Sequence, residues 1–151
     1  MELILWRHAE AEDGAPDQAR ALTRKGQKQA AKMAAWLLTQ LPGDCRILVS
    51  PAVRTQQTAG ALGLPYETVR AVGTSADARE LLAAAGWPHA KQDVLIVGHQ
   101  PTLGQVVALV MTGEEQDLDM QKGNVCWISS KQDGDMLASG IRVLMAPEQL
   151  A

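Results

Sequence analysis

The sequence lacks phenylalanine, and aromatic residues make up only 3% of its 151 residues. The core must therefore be aliphatic, and stacking of nucleic-acid bases on aromatic rings is excluded as a general binding mode. Cysteine is also scarce. Cys45 and Cys126 lie far apart without a CxxC or CxxH companion, so reduced thiols in the cytoplasm fit better than a disulfide framework or a zinc site.

Neither an excess of basic charge nor a long apolar run is present. The 14 Lys and Arg against 17 Asp and Glu give a formal net charge of -3, which argues against nucleic-acid or anionic-lipid partners. No stretch reaches the roughly 18 to 20 apolar residues of a membrane helix, and the N-terminal apolar run is too short for a signal peptide. We therefore expect one cytoplasmic, monomeric domain over residues 1–151, in which any anion site is local.

Buried-strand patterns alternate with helical patterns along the chain. Continuous apolar runs at residues 3–6, 46–50 and 93–97 predict strands buried on both faces, and a helical pattern follows each of them. The first helix should begin after Thr23 as its N-cap and end at Pro42-Gly43. Its buried stripe is predicted to contain Ala30, Met33, Ala34, Leu37, Leu38 and Leu41.

The remaining segments complete the predicted fold. Residues 67–72 are predicted as a short strand, residues 76–85 as a short helix, and residues 124–129 and 136–145 as a closing hairpin around Asp133-Gly134. The predicted class is α/β: a three-layer α/β/α sandwich whose sheet is mostly parallel, with an antiparallel edge strand.

Histidines and arginines follow three of the predicted parallel strands. Arg7-His8 comes directly after the first strand, Arg54 shortly after the second, and His99 after the third. Because ligands bind at the carboxyl ends of such strands, these four side chains are predicted to form one site. Taken singly, each arginine could be a solvated surface charge and each histidine a loop or capping residue, but the set of four favours a functional interpretation.

The chemistry of this set is that of a phosphoryl pocket. Two guanidinium groups bind phosphate oxygens bidentately, and the helix that begins near Pro101 is expected to add free N–H groups. The sequence has no HExxH, no GxxxxGK[ST] and no paired carboxylates with histidine at strand ends, so we expect neither a metal nor another cofactor. A neutral imidazole can then attack phosphorus and form a phosphohistidine that water hydrolyses.

Four motifs, in this order and spacing, resemble the histidine phosphatase (phosphoglycerate-mutase-like) superfamily, and within it the SixA-type phosphohistidine phosphatases. They are Arg7-His8-Ala9, Leu22-Thr23-Arg24-Lys25-Gly26, the segment 50–59 and Val97-Gly98-His99. The resemblance implies a phosphoglycerate-mutase-like fold, with His8 as the nucleophile, Arg7 and Arg54 holding the phosphoryl group, and His99 donating to its oxygens. Ala9 departs from the glycine that is commonest in the superfamily, so the backbone there must tolerate a Cβ.

The stretch between Arg54 and His99 is already filled by predicted elements, whereas larger superfamily members carry a lid and a general acid in insertions there. An open site suits phosphohistidine presented on a signalling or phosphotransfer protein, and its labile P–N bond makes a dedicated acid less necessary. Asp77, Glu80 and Glu10 are acid candidates by position. If His8 attacks as a neutral ring while His99 donates as a protonated one, the pH–rate profile should be bell-shaped.

Two other functions remain open from the sequence. The chain could be a phosphate monoesterase for sugar or nucleotide phosphates, which a substrate panel would reveal. It could also be a non-catalytic module that binds phosphoproteins, which trapping of a covalent phosphoryl adduct would exclude. If the four residues were incidental, phosphate or vanadate would neither bind nor stabilise the fold.

Overall fold

Six strands form one mixed sheet in a computed structural model that describes all residues, 1–151. Their order across the sheet is β3-β2-β4-β1-β5-β6. The first four in this order are parallel, and β5 and β6 add antiparallel neighbours beside β1. The bounds are β1 (Glu2–Arg7), β2 (Arg46–Val49), β3 (Glu67–Thr68), β4 (Val94–Gly98), β5 (Val125–Asp133) and β6 (Met136–Met145).

Helices cover both faces of this sheet. They are α1 (Arg24–Gln40), α2 (Val53–Gly60), α3 (Ala78–Ala85) and α4 (Thr102–Thr112). Buried residues of α1 and α2 pack into one core cluster, and those of α3 and α4 pack into a second cluster on the opposite face. The predicted three-layer α/β class is therefore confirmed. None of the helices combines the length and the apolar character needed to cross a membrane.

Strand β1 lies between β4 and β5 and is buried on both faces, as its apolar run predicts. Ile4 and Trp6 point into the core cluster of α1 and α2, whereas Leu3 and Leu5 point into the other. All four side chains are fully buried. Burial of each large apolar side chain contributes about 1.5–3 kcal/mol, so the strand that leads into the predicted site is anchored from both sides.

Helix α1 begins as expected, because the Thr23 hydroxyl accepts a hydrogen bond from the Gly26 amide at 2.9 Å. The prediction that Leu38 belongs to its buried stripe is wrong, since this residue is 49% exposed. Each residue turns the helix by about 100°, so Leu38 lies on the solvent side of Leu37.

Two strand predictions differ from the structure in extent. Only Glu67–Thr68 pairs as a strand, and the segment Arg70–Val72 turns into a 3-10 helix. This turn places the side chain of Val72 in the core cluster of α3 and α4. The antiparallel edge consists of two strands, and β5 extends to Asp133 because it pairs with β6 over nearly its whole length.

Gly26 supports a close approach between α1 and the segment that follows β1. A Cβ at this position would overlap the Glu10 carbonyl oxygen and lie 2.9 Å from its carbonyl carbon. We expect Gly26→Ala to lower the free energy of unfolding by about 1–3 kcal/mol, because rigid backbone must move. Gly60→Ala in α2 is the matched control: no atom lies within 4 Å of its added Cβ, and its stability should equal or exceed that of the wild type. Urea denaturation measures both, and equal stability of Gly26→Ala and the wild type would contradict the close approach.

Candidate active site

The four residues predicted from strand ends line one cavity of about 240 Å³. Arg7 and His8 stand at the end of β1, Arg54 lies in the first turn of α2 after β2, and His99 follows β4. These three strands are neighbours in the sheet, so their carboxyl ends converge. The ring centroids of His8 and His99 are 5.4 Å apart. The remaining lining residues are Asp17, Arg20, Thr74, Gln100 and Lys122.

The imidazole of His8 is buried and held in one orientation. Its Nδ1 donates to the Ala9 carbonyl oxygen at 2.7 Å. Because a carbonyl can only accept, the neutral ring carries its proton on Nδ1 and keeps its lone pair on Nε2. Burial, together with the nearby charges of Arg7 and Arg54, lowers the pKa of His8 to about 4. The ring is therefore neutral and nucleophilic near neutral pH.

Ala9 fits the backbone beside His8 without strain. Its amide donates to the Thr58 hydroxyl at 3.1 Å, and its methyl group is fully buried. No residue other than glycine has a positive φ anywhere in the chain. The departure from glycine at this position therefore places no methyl group in the left-handed region.

His99 is positioned by Ser50, whose hydroxyl oxygen lies 2.7 Å from its Nε2. The same hydroxyl oxygen accepts the Ala52 amide at 3.3 Å, so its own proton is free to be donated to His99 Nε2. In that arrangement Nδ1 carries the imidazole proton. Burial first, and then His8 and Arg54, lower the pKa of His99 to about 3.

Three buried nitrogens of the site have no partner in the protein. They are Nε of Arg7, Nε of Arg54 and Nδ1 of His99, and the only other such side-chain atom in the molecule is Oδ1 of Asn124. Leaving a buried donor unpaired costs about 1–3 kcal/mol. Such a concentration of unpaired donors suits an acceptor-rich anion.

The guanidinium groups are held by their other nitrogens. Arg7 Nη1 donates to the Met120 carbonyl oxygen at 2.8 Å. Arg54 Nη1 donates to the Asp17 carbonyl oxygen at 2.8 Å, and its Nη2 donates to the Asp17 carboxylate at 3.1 Å. Both arginines are thus fixed in orientation, and their buried Nε atoms have no partner in the protein.

Sequence reasoning missed Asp17 and Arg20, which lie in the long loop after β1. The Asp17 carboxylate also accepts from Arg20 Nη1 at 3.0 Å, and hydrogen bonds from Arg20 and Arg54 lower its pKa. It is therefore an ionised partner of the arginines and not a proton donor at neutral pH. The unusual length of this loop was the one signal in the sequence that could have indicated it.

None of the three acid candidates Asp77, Glu80 and Glu10 is among the residues that line the cavity. The Asp77 carboxylate accepts the Glu80 amide at 2.8 Å and caps α3, which occupies it structurally. Glu80 is exposed in the first turn of that helix. The Glu10 carboxylate accepts from the Thr23 hydroxyl at 2.8 Å at the start of α1.

Two of the first three amides of α4 are paired within the protein and are not the free groups that were expected. The Leu103 amide donates to the His99 carbonyl oxygen at 3.0 Å, and the Gly104 amide donates to Oε1 of Gln100 at 2.7 Å. These groups are already satisfied, so the positive charge at the cavity comes from side chains. No group of three or more His, Cys, Asp or Glu side chains is arranged to hold a metal ion.

The lowered pKa values of both histidines predict that stability depends on pH. In the unfolded chain each ring protonates near pH 6.5, whereas the folded rings of His8 and His99 stay neutral down to about pH 4 and about pH 3. Below pH 6.5 the unfolded chain thus binds more protons, and stability should fall as pH falls. Denaturation at several pH values between 7 and 4 gives the free energy of unfolding as a function of pH. This free energy should fall less steeply in a His8→Gln/His99→Gln variant than in the wild type, and equal slopes would contradict the lowered pKa values.

The same values revise the expected bell-shaped rate profile. That profile required a protonated His99, but its pKa of about 3 makes the ring neutral in the free protein at neutral pH. A neutral His99 can still donate through Nδ1–H. NMR titration of the free protein measures both rings directly, and a midpoint near 6.5 for either would contradict this revision.

An α/β sheet that collects two arginines and two buried histidines at its carboxyl edge provides hydrogen-bond donors suited to a tetrahedral anion beside a neutral imidazole. The chain belongs to the histidine phosphatase superfamily (branch 1), whose family model matches residues 3–81.

Individual relatives agree with this assignment. The chain is 32% identical over 127 residues to the phosphohistidine phosphatase SixA of Escherichia coli K12, covering 76% of each protein. It is 33% identical over 126 residues to a SixA homolog of Haemophilus influenzae, covering 72% of this chain and 76% of that protein. A solved structure of the protein histidine phosphatase SixA complexed with tungstate matches with a TM-score of 0.78 and 28% identity, covering 99% of each chain. The predicted SixA-type resemblance and phosphoglycerate-mutase-like fold are confirmed.

Proposed function

We propose that this chain is a phosphohistidine phosphatase that removes the phosphoryl group from a phosphohistidine on a protein partner, through a phosphoenzyme on His8 and without a metal ion. The observation that carries the proposal is the free Nε2 of a buried neutral imidazole in a cavity lined by three residues that each carry an unpartnered buried nitrogen. Relatives named as phosphohistidine phosphatases, one of them with bound tungstate, support it.

In the first step, Nε2 of His8 attacks phosphorus as the P–N bond of the substrate breaks. The electron pair of that bond goes to the imidazole of the partner protein, which takes up a proton from solvent as it leaves. The water that attacks in the second step returns a proton to the solvent. Nε2 can attack without first losing a proton, because the Ala9 carbonyl keeps the ring proton on Nδ1. Burial of the ring favours this neutral form.

During transfer, negative charge spreads over three equatorial oxygens of the phosphoryl group. The buried Nε atoms of Arg7 and Arg54 and the Nδ1 of His99 are the donors proposed to receive these oxygens. Guanidinium groups keep their charge at any pH that the fold tolerates, so they act here as permanent positive groups.

In the second step, water attacks the phosphorus bound to His8, and the P–N bond of the phosphoenzyme breaks. Inorganic phosphate is released and Nε2 regains its lone pair. The first step transfers the phosphoryl group from one nitrogen to another, and the second transfers it from nitrogen to the oxygen of water. No oxidant, reductant or additional substrate is required.

The lining of the cavity favours a phosphoryl group on a protein over a nucleotide. All nine lining residues are polar or charged, so no apolar or aromatic wall is available for a base. Whether the substrate is instead a sugar phosphate is tested by comparing kcat/KM for a phosphohistidine protein with kcat/KM for a panel of sugar and nucleotide phosphates. Faster turnover of the panel would favour the monoesterase.

Rapid quenching of the reaction should trap phosphate on His8 as an acid-labile adduct, located by mass spectrometry. Absence of the adduct despite tight phosphate binding would instead favour the phosphoprotein-binding module. The proposal includes a cytoplasmic monomer that does not bind nucleic acid, consistent with its two free cysteines and net charge of -3.

A further inference from the structure

A row of basic residues runs along the exposed side of α1. Arg24, Lys25, Lys28 and Lys32 are all exposed, and the helix contains no acidic residue. We call these four residues the basic stripe. The chain as a whole is acidic, with a formal charge of -3, so the stripe is a local concentration of charge opposite to the net charge.

The placement of these charges works against the stability of the helix. Cations near a helix N-terminus oppose the macrodipole, and Arg24/Lys28 and Lys28/Lys32 are like-charged pairs at i, i+4 spacing. None of the four takes part in an ion pair; the four ion pairs of the molecule use Arg20, Arg46, Arg54 and Arg142. Violations of local rules of this kind are expected at functional or strained sites.

The stripe also borders a surface cavity of about 200 Å³ beside the C-terminal segment. Three of its lysines line this cavity with Gln29, Pro147 and Glu148. Glu148 is the single carboxylate among the lining residues, and it forms no ion pair within 4 Å. The balance of charge around the cavity is therefore positive.

Short contacts connect this surface to the active site. Oε1 of Gln29 accepts the Glu10 amide at 3.0 Å, two residues beyond the nucleophile His8. The Gly123 amide donates to the His8 carbonyl oxygen at 3.0 Å, and a Cβ on Gly123 would touch both Gln29 and Pro147. Lys122, next in the chain, lines the active-site cavity. Residues that line the cavity beside the stripe thus contact the two segments that hold the backbone of His8.

We propose that the basic stripe docks an acidic face of the protein that carries the phosphohistidine, while the phosphoryl group of that protein lies in the active-site cavity. This inference rests on the proposed function and adds to it the charge of the partner. A phosphoryl group is small and identical on every substrate, so contacts beyond the cavity must select the partner. Rim charges of this kind act on association rate and selectivity.

The probes are two helical peptides of equal length, each with one phosphohistidine, flanked by glutamates in one and by lysines in the other. We expect wild-type kcat/KM to be about tenfold or more higher for the glutamate peptide at low salt, and the preference to shrink as salt increases. Hydrolysis of phosphoramidate, which is too small to reach the stripe, reports on the active site alone.

Three variants carry the same change in formal charge: Lys28→Glu, Lys28→Gln/Lys32→Gln, and the control Lys91→Glu at an exposed position before β4. We expect the first two to lose most of the peptide preference and the control to keep it. All three should hydrolyse phosphoramidate within about twofold of the wild type, because rim charges act on association with a charged partner. Thermal midpoints of the first two should equal or exceed that of the wild type, since like-charge repulsion is relieved.

Equal rates for both peptides in the wild type, or equal losses in the Lys91→Glu control, would overturn the inference while leaving the proposed function intact. If neither peptide is dephosphorylated, the proposed function fails, and fluorescence anisotropy with the unphosphorylated peptides still decides whether the stripe prefers acidic partners. Tighter binding of duplex DNA than of the glutamate peptide would assign the stripe to nucleic acid. Self-association lost in Lys28→Glu would assign it to a second copy of the chain.

Discussion

Replacing His8 with alanine is expected to abolish dephosphorylation of a phosphohistidine protein, with kcat reduced by about 10⁴-fold or more. The variant has no Nε2 to accept the phosphoryl group, and direct attack by water must then expel the substrate imidazole. Arg7 and Arg54 remain in place, so vanadate should still raise the thermal midpoint of the variant. Steady-state kinetics and thermal denaturation with vanadate measure the two effects separately.

His89→Ala is the matched control, because this histidine is exposed and does not line the cavity. Its kcat should match that of the wild type. Retention of about one per cent or more of turnover by His8→Ala would contradict covalent catalysis at this position, given the losses that follow removal of a nucleophile.

The second large effect is expected from Arg54→Met, which should reduce kcat/KM by about 10³-fold or more. The substitution removes a permanent positive charge and the buried Nε without adding bulk. Stability should change by about 1 kcal/mol or less, because loss of the ion pair with Asp17 is offset by removal of an unpaired buried donor. Low activity in a folded, equally stable protein would separate catalysis from folding.

Arg54→Lys tests whether the planar guanidinium group is needed or a positive charge alone suffices. A lysine keeps the positive charge but not the planar fork, so it should recover only a small part of the lost kcat/KM. Arg79→Met, at an exposed position of α3, is the control and should leave kinetics unchanged. Full activity of Arg54→Lys would mean that charge alone suffices, and a loss below tenfold in Arg54→Met would contradict the role proposed for this guanidinium.

The parts of the fold that sequence predicted well are those in which one physical pattern dominates. The run before Arg7 is apolar without interruption, and only a strand buried on both faces satisfies such a run. Thr23 predicted the start of α1 because few residues can accept the first free amides of a helix. Leu38 was misplaced because an apolar side chain at the margin of a stripe can face either core or solvent.

The residues of the candidate site likewise fall into those that the sequence predicted and those that it did not. Arg7, His8, Arg54 and His99 follow strands, and strand direction alone determines that they meet at one edge. Asp17 and Arg20 lie in a loop, where no periodicity indicates which way a side chain points. Asp77, Glu80 and Glu10 were chosen by position along the chain, and position did not reveal that two of these carboxylates bind neighbouring backbone or hydroxyl groups.

The segment that carries Arg7 and His8 is held more rigidly than the loop that carries Asp17. Arg7 and His8 stand at the end of β1, which is paired on both edges and buried on both faces, and their amides donate to the Asn124 and Gly98 carbonyl oxygens on neighbouring segments. Asp17, by contrast, belongs to a surface loop, and its side chain is 56% exposed. Amide exchange at Arg7 and His8 should therefore require unfolding of the whole molecule, whereas the loop can open locally at much lower cost. Local opening of this loop beside a rigidly held His8 would then set how quickly phosphate enters and leaves the cavity.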